Sequence, residues 1–365
     1  MQLSSQYSGI ALVNEGDYSV KTRGYAAPEA KADLVPFEFE RRSVGDFDVQ
    51  FDITYSGICH SDIHQAREEW GEALFPMVPG HEIVGIVTST GPKVSRFKKG
   101  DVIGVGVFID SCRTCTNCKR GLQQYCLEGM TGTYNGYERN TKNIAFGGYS
   151  KHFVIHEDYA VHIPTNLSQA GVAPLLCAGI TLYSPIKHWK VKPGSRVAVM
   201  GLGGLGHMGV KFAAAMGAEV TVFSHSPSKE NDAKSLGAHN FVLTNSAEWH
   251  KPLRKNFDLI LNTVSAELDL DPYLSTLATD GTLVIIGLPG KPYAINAGSM
   301  LDGRRSIAGS MIGGMPELQE MLDFCGEKNI VSEVEVIGAD YINQAYTRTV
   351  ASDVKYRFVI DATTF

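Results

Sequence analysis

Four cysteines crowd into one short stretch, Cys112-x-x-Cys115-x-x-Cys118-x7-Cys126. Thiolates two residues apart on a looped segment can reach one ion, and zinc in a structural place takes four tetrahedral ligands. The spacing predicts a zinc site made by Cys112, Cys115, Cys118 and Cys126, closed on all sides and therefore structural. An iron–sulfur cluster or a redox dithiol is the rival use of the same thiols. The interleaved Arg113, Lys119 and Arg120 would offset the negative charge of zinc bound by four thiolates.

A second set is dispersed. Cys59 stands in Gly57-Ile58-Cys59-His60-Ser61-Asp62-Ile63-His64, His81 in Pro79-Gly80-His81-Glu82, and Cys177 in Leu176-Cys177-Ala178-Gly179. Two thiolates, one imidazole and one exchangeable ligand form a catalytic zinc arrangement, because the open place accepts water or substrate. Scattered from 59 to 177, the same residues read equally as a buried cysteine, a core histidine and a reactive thiol. Spacing alone does not choose.

The run Gly201-Leu202-Gly203-Gly204-Leu205-Gly206 follows an apolar stretch, Arg196–Met200, and opens a helical pattern carrying Met208, Phe212, Ala213 and Met216. Strand, glycines and helix in that order are the setting of a dinucleotide site, with the pyrophosphate at the helix N-terminus. Tight strand–helix packing alone is the plainer reason for such glycines. About 20 residues after the first glycine, NAD sites place a carboxylate for the ribose 2′-hydroxyl. Here the stretch is Val222-Phe223-Ser224-His225-Ser226-Pro227-Ser228-Lys229. With no carboxylate there, Ser224, Ser226 and Lys229 can donate to a 2′-phosphate, so NADP is expected over NAD. A serine cap on a helix and a surface lysine would look the same, and both can hold at once.

The elements that position these groups show two rhythms. Up to about residue 165 short β-like runs (Val49–Ser56, Ile83–Thr88, Val102–Ile109, Ser150–Ile155) are separated by Gly, Pro and Asp turns. After Pro164, strand-like runs Arg196–Met200, Glu219–Phe223, Phe241–Leu243, Phe257–Val264, Thr282–Gly287 and Ser306–Ser310 alternate with helical patterns Gly204–Met216, Lys229–Leu236 and Pro272–Ala278. That alternation predicts βαβ units and a parallel sheet. A further helix begins at Met315 with Pro316 in its first turn, where proline fits. The expected fold is α/β: a nucleotide-binding domain inserted into a β-rich catalytic domain that is completed by the C-terminus.

Composition narrows the function. The chain has 365 residues, enough for two domains, and a net charge of −6 with its lysines and arginines dispersed. Neither a nucleic-acid surface nor a membrane span is expected. Met1–Tyr7 has no signal-peptide character, so a cytoplasmic protein is expected. Seven cysteines, an odd number grouped with other metal-binding types, point to metal rather than disulfides. The seventh, Cys325, lies in a helical pattern and reads as a buried small hydrophobe.

Taken together, Gly-Ile-Cys-His-Ser-Asp, Gly80-His81-Glu82, the four-cysteine lobe and the glycine run resemble the zinc-dependent medium-chain dehydrogenase/reductases. Leu175–Thr181, Gly309–Gly314 and Asp353–Asp361 are similar to their cinnamyl-alcohol-dehydrogenase-like branch, nearest its bacterial broad-specificity NADPH-dependent aldehyde reductases. The resemblance implies a GroES-like catalytic domain (1–166), a Rossmann domain with a doubly wound parallel sheet (167–312) and a return to the catalytic domain (313–365). It also implies two zinc ions, one catalytic and one structural. Cys59, His81 and Cys177 would hold the catalytic zinc, with Glu82 beside it or as an alternative fourth ligand. Ser61 would face the substrate oxygen and begin a proton relay through the nicotinamide ribose to His64. Thr181, Gly201, Gly203, Gly204, Leu205, Gly206, Ser224, Ser226, Lys229, Thr263, Gly287, Ser310 and Arg357 would line the NADP(H) site, Arg357 approaching the pyrophosphate; the role of His225 stays open.

The expected reaction is hydride transfer between NADPH and an aromatic or aliphatic aldehyde, with zinc as Lewis acid, and reduction as the favoured direction. Trp70 and Met130–Tyr134 are candidates for lining an apolar pocket near zinc, or for simple packing. A zinc-free reductase of quinones or activated alkenes would lack ligands that are present here, and a non-catalytic NADPH-binding protein would have lost Ser61, His64 or Glu82. By resemblance the chain is a homodimer, paired along the edge strand Ser306–Ser310.

Overall fold

The computed structural model describes residues 19–365, so the reading of Met1–Tyr7 and the start of the 1–166 span lie outside the described residues. The chain forms two main sheets. In the first, the strand Asp48–Gly57 is central: it pairs antiparallel with Ile83–Thr90, with His152–His156 and with Arg357–Asp361. The Val334–Ile337 strand lies parallel to Arg357–Asp361, so residues near the C-terminus finish a sheet begun near residue 48. Phe51, Ile53, Phe153, Ile83 and Phe358 fill its core. An antiparallel pair, Val20–Ala26 with Val35–Arg41, adds a flap for which the sequence carried no clear pattern.

The second sheet has six parallel strands in the spatial order Asn240–Leu243, Glu219–Ser224, Arg196–Met200, Phe257–Asn262, Leu277–Ile285, Ser306–Gly309. Near-continuous apolar runs suit strands covered by helices on both faces. The order reverses beside Arg196–Met200, and in such sheets ligands bind at the carboxyl ends of the strands flanking that switch point. The Gly201–Gly206 turn leaves the sheet at that place, between Met200 and the helix Gly206–Ala215.

Several element boundaries differ from the sequence expectation. The Val102–Ile109 run is two strands, Val102–Val105 and Phe108–Asp110. The chain bends at Gly106, where an added Cβ would lie 2.9 Å from the Leu176 carbonyl oxygen. Pro272–Ala278 is helical only from Asp271 to Thr276; Leu277 already starts the next strand, which runs to Ile285. Lys229–Leu236 is a helix from Glu230 to Ser235 preceded by a 3₁₀ turn. The Met315–Lys328 helix starts with Pro316 in its first turn. Among the described residues no single helix is long and apolar enough to cross a membrane.

Candidate active site

The four-cysteine lobe converges. The sulfurs of Cys112, Cys115, Cys118 and Cys126 lie within 4.8 Å of one another, with Cys112 and Cys118 3.9 Å apart and no disulfide formed. The edge of a tetrahedron of sulfurs about 2.3 Å from a central zinc is about 3.8 Å, so the cluster fits the ion. Backbone N–H groups aim at the sulfurs: Cys112 N–H donates to Cys126 Sγ at 3.4 Å and Cys115 N–H to Cys112 Sγ at 3.4 Å. The Cys118 and Leu127 N–H groups hold the Cys115 thiol down to about 6, favouring the thiolate a metal needs. Arg113, next to Cys112, pairs its guanidinium with Asp110 and Asp158.

The dispersed set also converges. Cys59 caps the helix His60–Ala66, His81 sits just before the strand Ile83–Thr90, and Cys177 just before the helix Ala178–His188. All are buried, the two sulfurs are 4.0 Å apart, and ligand atoms of Cys59, His81, Glu82 and Cys177 lie within 4.8 Å of one another. Pairing of the two thiols pushes Cys59 well below the ordinary thiol range, helped by the Arg357 charge, and Cys177 well above it.

Asp62 organises the set. Its carboxylate accepts from Cys59 N–H (2.8 Å), Gly80 N–H (3.1 Å), His81 Nδ1–H (3.0 Å) and the Tyr149 hydroxyl (3.2 Å). Burial opposes a charge on His81, yet Asp62 outweighs it and raises the proton affinity of the ring well above normal, which makes a better metal ligand. His81 Nε2 is buried, faces the sulfurs and has no hydrogen-bond partner. A buried imidazole nitrogen left unpaired costs about 1–3 kcal/mol, unless a metal takes it. Glu82 Oε2 is likewise unpartnered, while Oε1 pairs with Arg357. Burial pushes the Glu82 carboxyl up to about 7 against the pull of Arg357. Gly57 makes the room, since a Cβ there would lie 2.0 Å from Glu82 Oε2.

The glycines of the turn divide their work. A Cβ on Gly206 would strike the Gly201 carbonyl oxygen at 2.1 Å, and one on Gly204 would meet Arg357 Cδ at 2.9 Å, so these two serve packing. Gly201 takes φ +84°, and Gly203 faces open space, where a phosphate can approach the backbone. Leu205 leads into the helix, Thr263 Oγ1 donates to Met200 O at 2.7 Å, and a Cβ on Gly287 would crowd Val264 O at 2.5 Å. Beyond the neighbouring strand, Ser224 Oγ accepts from Ser226 N–H (3.1 Å) and Ser226 Oγ lies 3.0 Å from Ser228 Oγ. Lys229 Nζ reaches back to Leu202 O at 2.8 Å, closing hydroxyls and ammonium over the glycine turn. Burial lowers the Lys229 ammonium, so an incoming phosphate would meet a poorly solvated cation.

Comparisons with known proteins identify the family. Residues 45–165 match the alcohol dehydrogenase GroES-like domain and 204–327 the zinc-binding dehydrogenase family. An NADP-dependent alcohol dehydrogenase C of Mycolicibacterium smegmatis is 54% identical over 92% of this chain and 97% of its own. The aldehyde reductase YahK of Escherichia coli is 49% identical over 94% and 98%. A cinnamyl alcohol dehydrogenase structure from Sorghum bicolor superposes with TM-score 0.91 at 42% identity, covering 94% of this chain and 98% of that one. The chain belongs to the zinc-binding alcohol dehydrogenases.

In this alcohol dehydrogenase Ser61 Oγ lies 3.6 Å from Cys59 Sγ. His64, half-exposed one turn along the same helix, pairs through Nδ1 with Glu69 and stacks on Trp70 with ring centroids 4.8 Å apart. Trp70 thus packs on His64, and Tyr134 is buried against His81 at 5.8 Å. Thr181 lies one turn beyond Cys177, and Ser310 N–H donates to Ile285 O at 3.2 Å, level with the carboxyl end of the sheet. Arg357 is buried on Glu82 and against Gly204, between the Cys59–His81–Cys177 set and the glycine turn. Its neighbour Glu82 is 275 positions away, so sequence proximity offered no sign of the pair. Asp62, Glu69 and Tyr149 were also missed. Only Asp62 had a local signal, an acidic residue three positions after the residue that caps a helix.

Proposed function

We propose that this alcohol dehydrogenase reduces an aromatic or aliphatic aldehyde to its primary alcohol with NADPH, and reverses the reaction with NADP, at the Cys59–His81–Cys177 cluster. The observation that carries the reading is the convergence of two buried sulfurs and the unpartnered His81 Nε2, beside a turn whose Gly203 is open to a phosphate. The names of the two most similar relatives described above, and the serine–lysine closure at the second strand, support the cofactor and the substrate class.

Cys59, His81 and Cys177 would hold zinc, with Glu82 Oε2 as the nearby alternative ligand. When bound, zinc supplies Lewis acidity at the carbonyl oxygen, and NADPH supplies the hydride. The chain's own residues do the remainder. Asp62 fixes the His81 tautomer with Nδ1 protonated, so Nε2 is free to ligate. Ser61 Oγ, 3.6 Å from Cys59 Sγ, would give the substrate oxygen its proton. His64, with Nδ1 engaged by Glu69, keeps Nε2 for exchange with solvent, at the far end of a relay that would reach Ser61 through the nicotinamide ribose.

The test is NADPH oxidation with benzaldehyde and cinnamaldehyde by zinc-replete protein, with NADH alongside and His64→Ala as a second sample. NADPH turnover well above NADH turnover is expected, with kcat about a hundredfold lower in the variant and partly restored by added imidazole. Zinc-replete protein that turns over neither aldehyde would remove the proposal.

Sheet membership supports the division into a catalytic part (1–166 and 313–365) and a cofactor part (167–312). A homodimer is supported by the edge strand Ser306–Gly309 and the exposed Leu288, Ile295 and Leu301 nearby in the chain. Light scattering at micromolar concentration should give twice the 39.7 kDa chain mass, and a monomer would count against it. Seven free cysteines, six of them in two sulfur clusters, support a reducing, cytoplasmic setting.

A further inference from the structure

His207 follows the last glycine of the turn and is wholly buried. Burying an imidazole is unfavourable unless both ring nitrogens find partners. Both do: Nδ1 is 3.1 Å from the Gly203 carbonyl oxygen and Nε2 is 2.9 Å from Ser332 Oγ. A carbonyl only accepts, so Nδ1 carries the proton and Nε2 accepts from the Ser332 hydroxyl. Burial, with the Arg357 charge adding to it, pushes the imidazole down to about 3, so the ring stays neutral. Its face stacks on Tyr356, with centroids 4.9 Å apart and planes 12° from parallel.

The Gly203 carbonyl belongs to the Gly203–Gly204 peptide, the one unit of the turn with no Cβ on either side. Such a unit meets the least steric resistance to flipping over. Its oxygen receives both the backbone N–H of His207 (3.1 Å) and the ring Nδ1–H (3.1 Å), which holds it toward the helix. In a planar trans peptide the N–H points opposite to the C=O. The Gly204 N–H therefore faces outward, and among the described residues it makes no backbone hydrogen bond. An anion at the helix N-terminus would meet that N–H; a flipped peptide would offer it a carbonyl oxygen instead.

We propose that His207 is a positioning residue for NADP(H): its Nδ1 bond locks the Gly203–Gly204 peptide with the N–H outward, and its Nε2 bond ties that peptide to Ser332 beside the catalytic sheet. The proposal rests on the cofactor reading given above. One turn further along the helix, Lys211 Nζ donates to Val331 O and Glu333, both at 2.7 Å, so the 331–333 segment is held at two levels.

Asparagine and glutamine separate the two bonds. His207→Asn places an amide N–H near Nδ1 and keeps the Gly203 bond; His207→Gln places its amide near Nε2 and keeps Ser332. NADPH dissociation constants of the zinc-loaded proteins would be read by nucleotide fluorescence, with thermal midpoints measured in parallel. The glutamine variant is expected to bind NADPH about tenfold more weakly than the parent and the asparagine variant within about threefold, although both lose the ring stack and both midpoints fall. Affinity that tracks the midpoints, or glutamine and asparagine variants that bind alike, would overturn the role of His207 and leave the cofactor reading in place. A parent protein that binds neither NADPH nor NADH would overturn both together.

Discussion

Cys59→Ala protein is expected to fold, to bind NADPH, and to lose at least about a thousandfold in aldehyde turnover, because several kcal/mol of transition-state stabilisation rest on the metal cluster. The sulfur lies 4.0 Å from Cys177 Sγ and belongs to the same buried set as His81 Nε2 and Glu82. Removing it leaves two ligands, His81 and Cys177, with the free Glu82 Oε2 close enough to become a third. Metal analysis distinguishes the routes: one zinc per chain means that the cluster has emptied, and two mean that Glu82 has closed it. In both cases the place open to substrate is lost or misformed, so turnover falls. The fold should survive, since Asp62 keeps Gly80 N–H, His81 Nδ1–H and the Tyr149 hydroxyl. Turnover within tenfold of the parent would exclude this cluster as the reaction centre.

The second large effect concerns the nucleotide. Ser224→Asp should reverse the preference for NADPH over NADH, lowering kcat/KM with NADPH by about a hundredfold or more. Ser224 ends the strand beside Arg196–Met200, and its Oγ accepts the Ser226 N–H. An aspartate oxygen can accept the same N–H, so the turn is kept. Its charge would repel a 2′-phosphate and could hold the ribose 2′-hydroxyl of NADH. A steady-state comparison of the two nucleotides decides it; an unchanged ratio would mean that the phosphate is recognised elsewhere.

How much could be read without coordinates depended on how far apart the partners lie in the chain. The clustering of the four cysteines was legible because one loop carries all four sulfurs. The glycine turn was legible because strand, turn and helix are consecutive. The Cys59, His81 and Cys177 set was opaque to spacing. Ser56 pairs with Ile83 across two antiparallel strands, which places Cys59 and His81 just beyond paired ends, while Cys177 arrives on a separate crossover. Resemblance to a family, not spacing, pointed to that set. The helix His60–Ala66 was missed because its only buried apolar residues are Ile63 and Ala66, too few to set a period. The flap Val20–Ala26 with Val35–Arg41 carries charges along its second strand and is held by Arg41, whose guanidinium donates to the carbonyls of His152, Phe146 and Gly147. No local pattern announces such contacts.

The late return of the chain sets an order for assembly on the ribosome. The parallel sheet is complete once Gly309 has emerged, so the nucleotide half can fold during synthesis. The strand Asp48–Gly57 must wait for Arg357–Asp361, and Glu82 for Arg357, 275 positions later. At about 5–20 residues per second the 275 positions take roughly 14–55 s. Through that interval the Glu82 carboxylate lacks its guanidinium partner and one edge of the catalytic sheet stays open. The reaction centre of this enzyme therefore closes only after the whole nucleotide half has been made.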